Sequence, residues 1–227
     1  MSRQFSNDTN DTVKAHLDTL IDQGTDATCY ANALYLLGKD LGEVLIKQIK
    51  NQEKVCLACT VEDADYLAQG VIEILTNHVA SVALACFWNQ RDEQQSIAPI
   101  LRKYIEPDTA QATTLIIIKS VISGACVVKT NLTNLIQQQT KLETIIVASP
   151  VMHIQAKEKL ANEFPKDLSD RFHYVYFATD KDKETNGTLI PGVGGNVYTR
   201  LGFKDQTDKN RSTPELIKNR RKLFISA

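Results

Sequence analysis

The chain has 227 residues, 43% hydrophobic and 23% charged, which suits one sizeable folded domain with its own core. Its net charge of -1 excludes a global field that would draw it to nucleic acid or an acidic membrane. No apolar run is long enough to span a bilayer, and the polar start MSRQFSNDTNDT has no signal-peptide core, so the expected location is cytoplasmic.

Residues 1–12 are rich in Asn, Asp, Ser and Thr and read as a mobile tail. Residues 13–204 read as a single domain. Val13, Leu17, Leu20 and Ile21 suit a short helix or mixed segment. Between Asp26 and Ile49, apolar residues recur at three- and four-residue spacing, which predicts a strong helix. Gly38 and Gly42 on it would let another element pack closely.

Strands and helices then alternate. Lys54–Thr60 reads as a strand, Tyr66–Leu75 as a helix and Val79–Trp88 as a strand. Leu115–Val121 follows as a strand and Val127–Gln138 as a helix. Thr144–Ala148 is the next strand, His153–Phe164 a helix, and Tyr174–Ala178 a strand. This order implies βαβ crossovers and an α/β fold with a parallel sheet flanked by helices. Ligands of such folds bind at the carboxyl ends of the strands.

Cys29, Cys56, Cys59, Cys86 and Cys126 are five in number, which favours reduced thiols over a disulfide framework. Cys56-x-x-Cys59 invites a metal or redox reading. On a strand, however, positions three apart face opposite ways, and no second pair completes a zinc set. A buried structural role is therefore expected. The four histidines, at positions 16, 78, 153 and 173, fall in separate predicted elements.

The segment 177–203, FATDKDKETNGTLIPGVGGNVYTRLGF, is the densest in turn formers. Three glycines and a proline in Pro191-Gly192-Val193-Gly194-Gly195 suit a fixed loop whose backbone comes close to a ligand or to another element; an ordinary structural turn is the alternative. Residues 205–227 form a basic C-terminal extension. Thr213-Pro214-Glu215 reads as a helix start, followed by Lys218, Arg220, Arg221 and Lys222. A solvated or partner-docking helix is expected there, with contact to nucleic acid or membrane as the alternative.

On these motifs the chain resembles the uracil phosphoribosyltransferase family. LIPGVGG, after Thr179-Asp180 and before Gly202-Phe203, is similar to the family's I(V/I)PGLGDAGDR(L/I)FG with its upstream I-D-x-x-L-N. Arg91-Asp92-Glu93 matches part of GxYRDEET. Ser123-Gly124-Ala125-Cys126 aligns with the end of DPMLATGGS, and the region from Glu62 to Gly70 with PILRAGLGMVDG.

The resemblance implies a phosphoribosyltransferase-like domain with an N-terminal helical segment, a β-arm in the Ser96–Asp108 region and a homodimer. It implies phosphate binding by Arg91, Ser123, Gly124, Ala125 and Cys126. It implies base binding by Leu189, Pro191, Gly192, Gly194, Gly195 and Asn196, with Asp180 matching a family acid. Magnesium is expected only together with phosphoribosyl diphosphate.

The sequence departs from the family at three charged positions. The pyrophosphate-loop arginine is Glu62, an acid of the phosphoribosyl fingerprint is Ile118, and the aspartate after PGxG is Gly195. Glu62, with Asp63 and Asp65, reads as a solvated acidic helix start. Each lost charge-assisted contact removes about 1.5–3 kcal/mol of donor binding. The expected function is thus a nucleotide or phosphate-ligand binding or regulatory module with lost or altered transferase activity. An active uracil phosphoribosyltransferase making UMP, and a structural or assembly protein without a ligand, are the alternatives.

Overall fold

Asn10 and Asp26 start the first two helices. Their side-chain oxygens accept the amides of Val13 and Cys29, each at 2.9 Å, and so satisfy donors that no helical carbonyl reaches. The computed structural model describes residues 3–90, 97–139 and 141–225. A short strand β1 (Gln4–Phe5) precedes α1 (Asp11–Ile21) and α2 (Ala27–Leu45). Then come β2 (Lys54–Thr60), a tight turn at Val61–Asp63, a wider helical turn at Ala64–Ala68, and α3 (Gln69–Leu75). β3 (Ser81–Asn89), β4 (Ile100–Ile105), β5 (Thr114–Ile118), β6 (Val121–Ile122) and α4 (Cys126–Ile136) follow.

The second half comprises β7 (Thr144–His153), α5 (Ala156–Ala161), α6 (Lys166–Ser169) and β8 (Phe172–Asp180). A small hairpin, β9 (Asp182–Lys183) and β10 (Leu189–Ile190), leads into α7 (Val197–Arg200), α8 (Gln206–Arg211) and α9 (Glu215–Ile225). No helix among the described residues is long and apolar enough to cross a membrane.

The main sheet runs β1-β8-β7-β5-β2-β3-β4. The five inner strands are parallel, and β1 and β4 close the edges antiparallel. The expected α/β architecture is therefore present. Both faces are covered, as a parallel sheet requires. One apolar cluster contains Leu57, Cys59 and Trp88 together with α1 and α2 residues; the other contains Cys56, Ala58 and Phe87 with α4 residues. Cys56 and Cys59 thus lie on opposite faces of β2, as the strand reading expected. Burial pushes the Cys56 thiol up to about 12, and a hydrogen bond with Cys86 together with burial raises that of Cys59, so both stay protonated.

Gly38 and Gly70 meet where α2 crosses α3. A Cβ on Gly38 would lie 2.2 Å from the Leu67 carbonyl oxygen, and one on Gly70 2.2 Å from that of Tyr35. The close approach inferred from Gly38 is real. The segment expected as a β-arm folds back as β4 on β3, leaving Leu101 exposed on the edge.

Three differences from the sequence reading bear on the site. The strand expected over Leu115–Val121 breaks after Ile118, because Asp63 takes the Ser120 amide at 3.1 Å. β7 continues through His153, since Val151, Met152 and His153 pair with β8, so the expected helix from His153 shrinks to Ala156–Ala161. In the N-terminal segment read as a tail, β1 pairs with β8 and Thr9 donates to the Phe177 carbonyl.

Candidate functional site

The parallel strands wind outward in two directions from β2 and β5. β3 lies beyond β2, and β7 and β8 lie beyond β5. The chain therefore leaves the carboxyl ends of β2 and β5 in opposite directions, and this switch point is where open α/β sheets form a crevice. A cleft is present there. Glu62 after β2, Lys119 after β5, Ser123 and Gly124 before α4, and the 195–198 stretch all line it.

Its inner wall is ionic. Lys119 Nζ lies 2.9 Å from Glu62 Oε1 and 3.1 Å from Asp63 Oδ2. Lys209 Nζ reaches in from α8 to 3.4 Å from Glu62 Oε2 and donates to the Asn89 carbonyl at 3.3 Å. Thr60 Oγ1 donates to Asp63 Oδ2 at 2.6 Å. Asp63 is fully buried and the side chains of Glu62 and Lys119 are nearly so. Of the three acids read as a solvated helix start, Glu62 and Asp63 thus belong to an internal salt-bridge network, and Asp65 receives the first amides of α9. Composition around Glu62 could not show this, because its partners lie 57 and 147 positions away in the chain.

Burial would raise the Glu62 carboxyl, but Lys119 and Lys209 outweigh it and hold the group at about 2. Burial would likewise lower Lys119, yet Asp63 and Glu62 keep its ammonium above the usual lysine range. Glu62 and Lys119 are therefore both charged at neutral pH. Two acids face two lysines, so this wall carries no net charge. It does not supply the cationic surface that a pyrophosphate needs.

The opposite wall is a helix start. Ala125 is the N-cap of α4, and no side chain caps this end, which leaves the first amides turned to the helix's positive pole. Ser123, Gly124 and Cys126 line the cleft beside it. The Lys183 ammonium donates to the Ser123 carbonyl and brings a positive charge to the same loop.

The proline-glycine loop divides into two parts. Pro191, Gly192 and Gly194 do not line the cleft; Leu189, Gly195 and Asn196 do. Gly192 has φ +55° and its amide donates to Asp180 Oδ2 at 2.9 Å. Tyr30 Oη donates to the Val193 carbonyl at 2.9 Å, and Gln23 Nε2 to that of Gly194 at 3.3 Å. Gly194, at φ +76°, leaves no room for a Cβ, which would stand 2.1 Å from the Leu20 carbonyl oxygen. Three of the six expected base-binding residues thus lie off the cleft: Gly192 is held to Asp180 of β8 and to Arg3, and Gly194 packs against the end of α1.

Asp180 serves the same end. It is buried at the end of β8, and both its oxygens are taken by Arg3 and the Gly192 amide. Ile118, at the family's acid position, is buried within the apolar core and offers no acceptor. Arg91, read as a phosphate ligand, lies outside the described residues. Among the described residues, no group of three or more His, Cys, Asp or Glu could hold a metal ion. Lys209, Tyr198 and Gln206 also line the cleft and were not singled out. Tyr198 follows the glycine loop, whereas Gln206 and Lys209 stand in a region without a motif.

The C-terminal extension reaches the core as well. Arg220 forms two hydrogen bonds at 2.8 Å with buried Glu106, and Asp65 accepts the amides of Glu215 and Leu216 at the start of α9. Trp88 Nε1 donates to the Ser212 carbonyl at 2.9 Å.

No protein-family model matches the sequence, and no curated protein matches it. Among solved structures, the AQ2163 protein from Aquifex aeolicus superposes with a TM-score of 0.72 at 14% identity, covering 86% of this chain and 95% of that one. That likeness shows a shared fold. A hypoxanthine phosphoribosyltransferase from Staphylococcus aureus gives a TM-score of 0.44 at 14% identity over 66% of this chain and 74% of that one. A hypothetical protein from Neisseria gonorrhoeae with bound ppGpp gives 0.40 at 14% identity over 66% and 80%. At such scores these two carry no argument about this chain.

Proposed function

We propose that the cleft binds a small phosphate-bearing ligand of the nucleotide class, and that the chain is a binding or regulatory module related to uracil phosphoribosyltransferases with lost or altered transferase activity. The observation that carries this reading is the closed network of Glu62, Asp63, Lys119 and Lys209 at the switch point. It neutralises the wall where the resembling family places a pyrophosphate-binding arginine. Among the described residues of that wall, a triply charged leaving group finds no spare cation, and Glu62 and Asp63 are already paired with lysines.

The α4 start is a different matter. Uncapped amides, the Ser123 hydroxyl and the nearby Lys183 charge suit a single phosphate group. The retained loop walls at Leu189, Gly195 and Asn196 suit a flat ring beside it.

Calorimetric titration with UMP, with uracil, and with phosphoribosyl diphosphate plus magnesium tests this. The expected result is binding of UMP, no binding of the diphosphate, and no UMP formed from uracil. Magnesium-dependent UMP formation would overturn the loss of transferase chemistry. Absence of binding by any phosphate compound would leave a purely structural protein.

A further inference from the structure

The main sheet is left open along one edge. Among the described residues, β4 has a ladder partner on one side, β3. The Glu106 amide, just past the end of β4, donates to the Leu84 carbonyl at 3.0 Å. Backbone groups alternate sides along a strand, so Tyr104 and Arg102 also turn theirs to β3. The amides and carbonyls of Lys103 and Ile105 therefore face away from the sheet. Such a row is a template for one further strand.

The side chains around this edge share one sign of charge. β4 and α9 together carry six basic residues and one acid, Glu215, which pairs with Lys218. Arg102 donates to the Ser212 carbonyl and lies 4.1 Å from the Trp88 ring. Lys103 donates to Asn134 Oδ1, and Arg221 stands 5.5 Å from the Tyr104 ring. These partners are neutral, so among the described residues no carboxylate balances the three charges. Apolar side chains accompany them. Leu101, where a bulge interrupts the ladder, is 60% exposed, and Leu223 and Phe224, one turn beyond Arg220, are 63% and 48% exposed.

The occupant follows from these features. Basic side chains on an edge deter a second basic strand but attract an acidic one. A second copy of β4 laid antiparallel on the first would set Arg102 and Lys103 against like charges. A bilayer would leave the outward backbone groups of Lys103 and Ile105 without partners. An extended acidic segment with alternate apolar residues satisfies the backbone row, balances the charges and covers Leu101.

We infer that the free edge of β4, with the end of α9 beside it, docks an extended acidic segment of another protein as an added strand. Backbone hydrogen bonds to Lys103 and Ile105 hold it, and Arg102, Lys103 and Arg221 select its charge. Neither β4 nor α9 lines the cleft, so this surface is independent of the ligand bound there.

The test uses the full chain with two short labelled peptides, EVELEVE and its basic counterpart KVKLKVK, in fluorescence anisotropy and amide hydrogen exchange. The acidic peptide is expected to bind at least about tenfold more tightly than the basic one, and less tightly as salt rises. Exchange of the Lys103 and Ile105 amides should slow on binding, while that of Arg102 and Tyr104, already bonded to β3, should not change. Lys103→Ala and Lys103→Pro both remove the charge, but proline also removes the outward N–H and leaves the ladder to β3 intact. The proline variant is expected to bind the acidic peptide about fivefold more weakly than the alanine variant, the scale of one net hydrogen bond.

Equal binding of the two peptides, binding of neither, or binding that leaves exchange at Lys103 and Ile105 unchanged overturns the inference. So does a chain that dimerises with protection of these same amides, which gives the edge to a second copy. Binding to phosphatidylserine vesicles that is lost with Leu223→Ser and Phe224→Ser, without binding of the acidic peptide, assigns the surface to a membrane and likewise overturns it. If the proline variant does not fold, the exchange pattern of the wild-type protein decides.

Discussion

The guanidinium of Arg3 grips the carboxylate of Asp180 at both ends, with Nε 2.9 Å from Oδ1 and Nη2 2.7 Å from Oδ2. The same Nη2 donates to the carbonyl of Gly192, whose amide donates back to Asp180. Three segments far apart in the chain are thereby tied at one point: the N-terminal strand β1, the end of β8 and the glycine loop. The fork of an arginine suits this task, because it serves two carboxylate oxygens and a carbonyl at once.

Arg3→Met is expected to destabilise the protein by about 3–5 kcal/mol, since it leaves Asp180 buried without its counter-charge. Urea denaturation measures the loss. Arg3→Met combined with Asp180→Leu should recover part of it, though not the Gly192 contact. A change below about 1 kcal/mol in the single variant would mean that the latch does not hold the loop.

The glycine loop makes a ranked prediction. Alanine is strained at Gly194 and at Gly195, with φ values of +76° and +113°. Only Gly194 also brings its Cβ against backbone, while a Cβ at Gly195 meets nothing within 4 Å. Gly194→Ala should therefore lower the melting temperature clearly more than Gly195→Ala. The Gly195 substitution should cost about 1–2 kcal/mol, and its methyl group should weaken UMP binding, because Gly195 lines the cleft. Thermal melts and calorimetry on the two variants give the order directly.

Acid should loosen the cleft before it unfolds an unpaired variant. The Glu62 carboxyl is held at about 2 against an ordinary 4.5. A depressed carboxyl adds stability that is present above its unfolded value and is lost as pH falls towards the folded one. The wild-type melting temperature should thus fall between about pH 4.5 and pH 2 more steeply than that of the protein carrying Glu62→Met with Lys209→Met. Lys119 acts at the other end of the scale. Its raised ammonium contributes below the ordinary lysine value of 10.5 and the contribution fades in stronger base. Parallel melting curves of the two proteins through the acid range would contradict the role given to Glu62.

Removal of residues 212–227 should destabilise the chain strongly. It strips the Arg220 charge from Glu106, which is 2% exposed, and removes the buried side chains of Leu216 and Ile217. Loss of one partner of a buried ion pair alone costs about 3–5 kcal/mol. The single change Arg220→Ala should reproduce most of that electrostatic part. An unchanged melting temperature on truncation would show the extension to be undocked in solution.

The sequence by itself determined the parallel strands, the long helix α2 and the α/β order, but not β1, α7 or α8. Periodicity carries that information because burial on one face of a local element leaves a local pattern. β2 runs over Lys54–Thr60 as read, the two cysteines of Cys56-x-x-Cys59 part to opposite faces, and Gly38 marks a close helix crossing. The glycine loop was also legible as a fixed turn, from residues that tolerate positive φ.

The ionic partners were decided only by the tertiary structure. Arg3 with Asp180, Lys119 with Glu62, Lys209 with Glu62 and Arg220 with Glu106 join residues that no spacing rule relates. A charge in sequence looks the same whether water or a buried counter-ion neutralises it. That is why Glu62 read as a solvated acid and Arg220 as part of a basic tail, and why the cleft's neutral wall emerged only once β2 and β5 had paired and brought their carboxyl ends together.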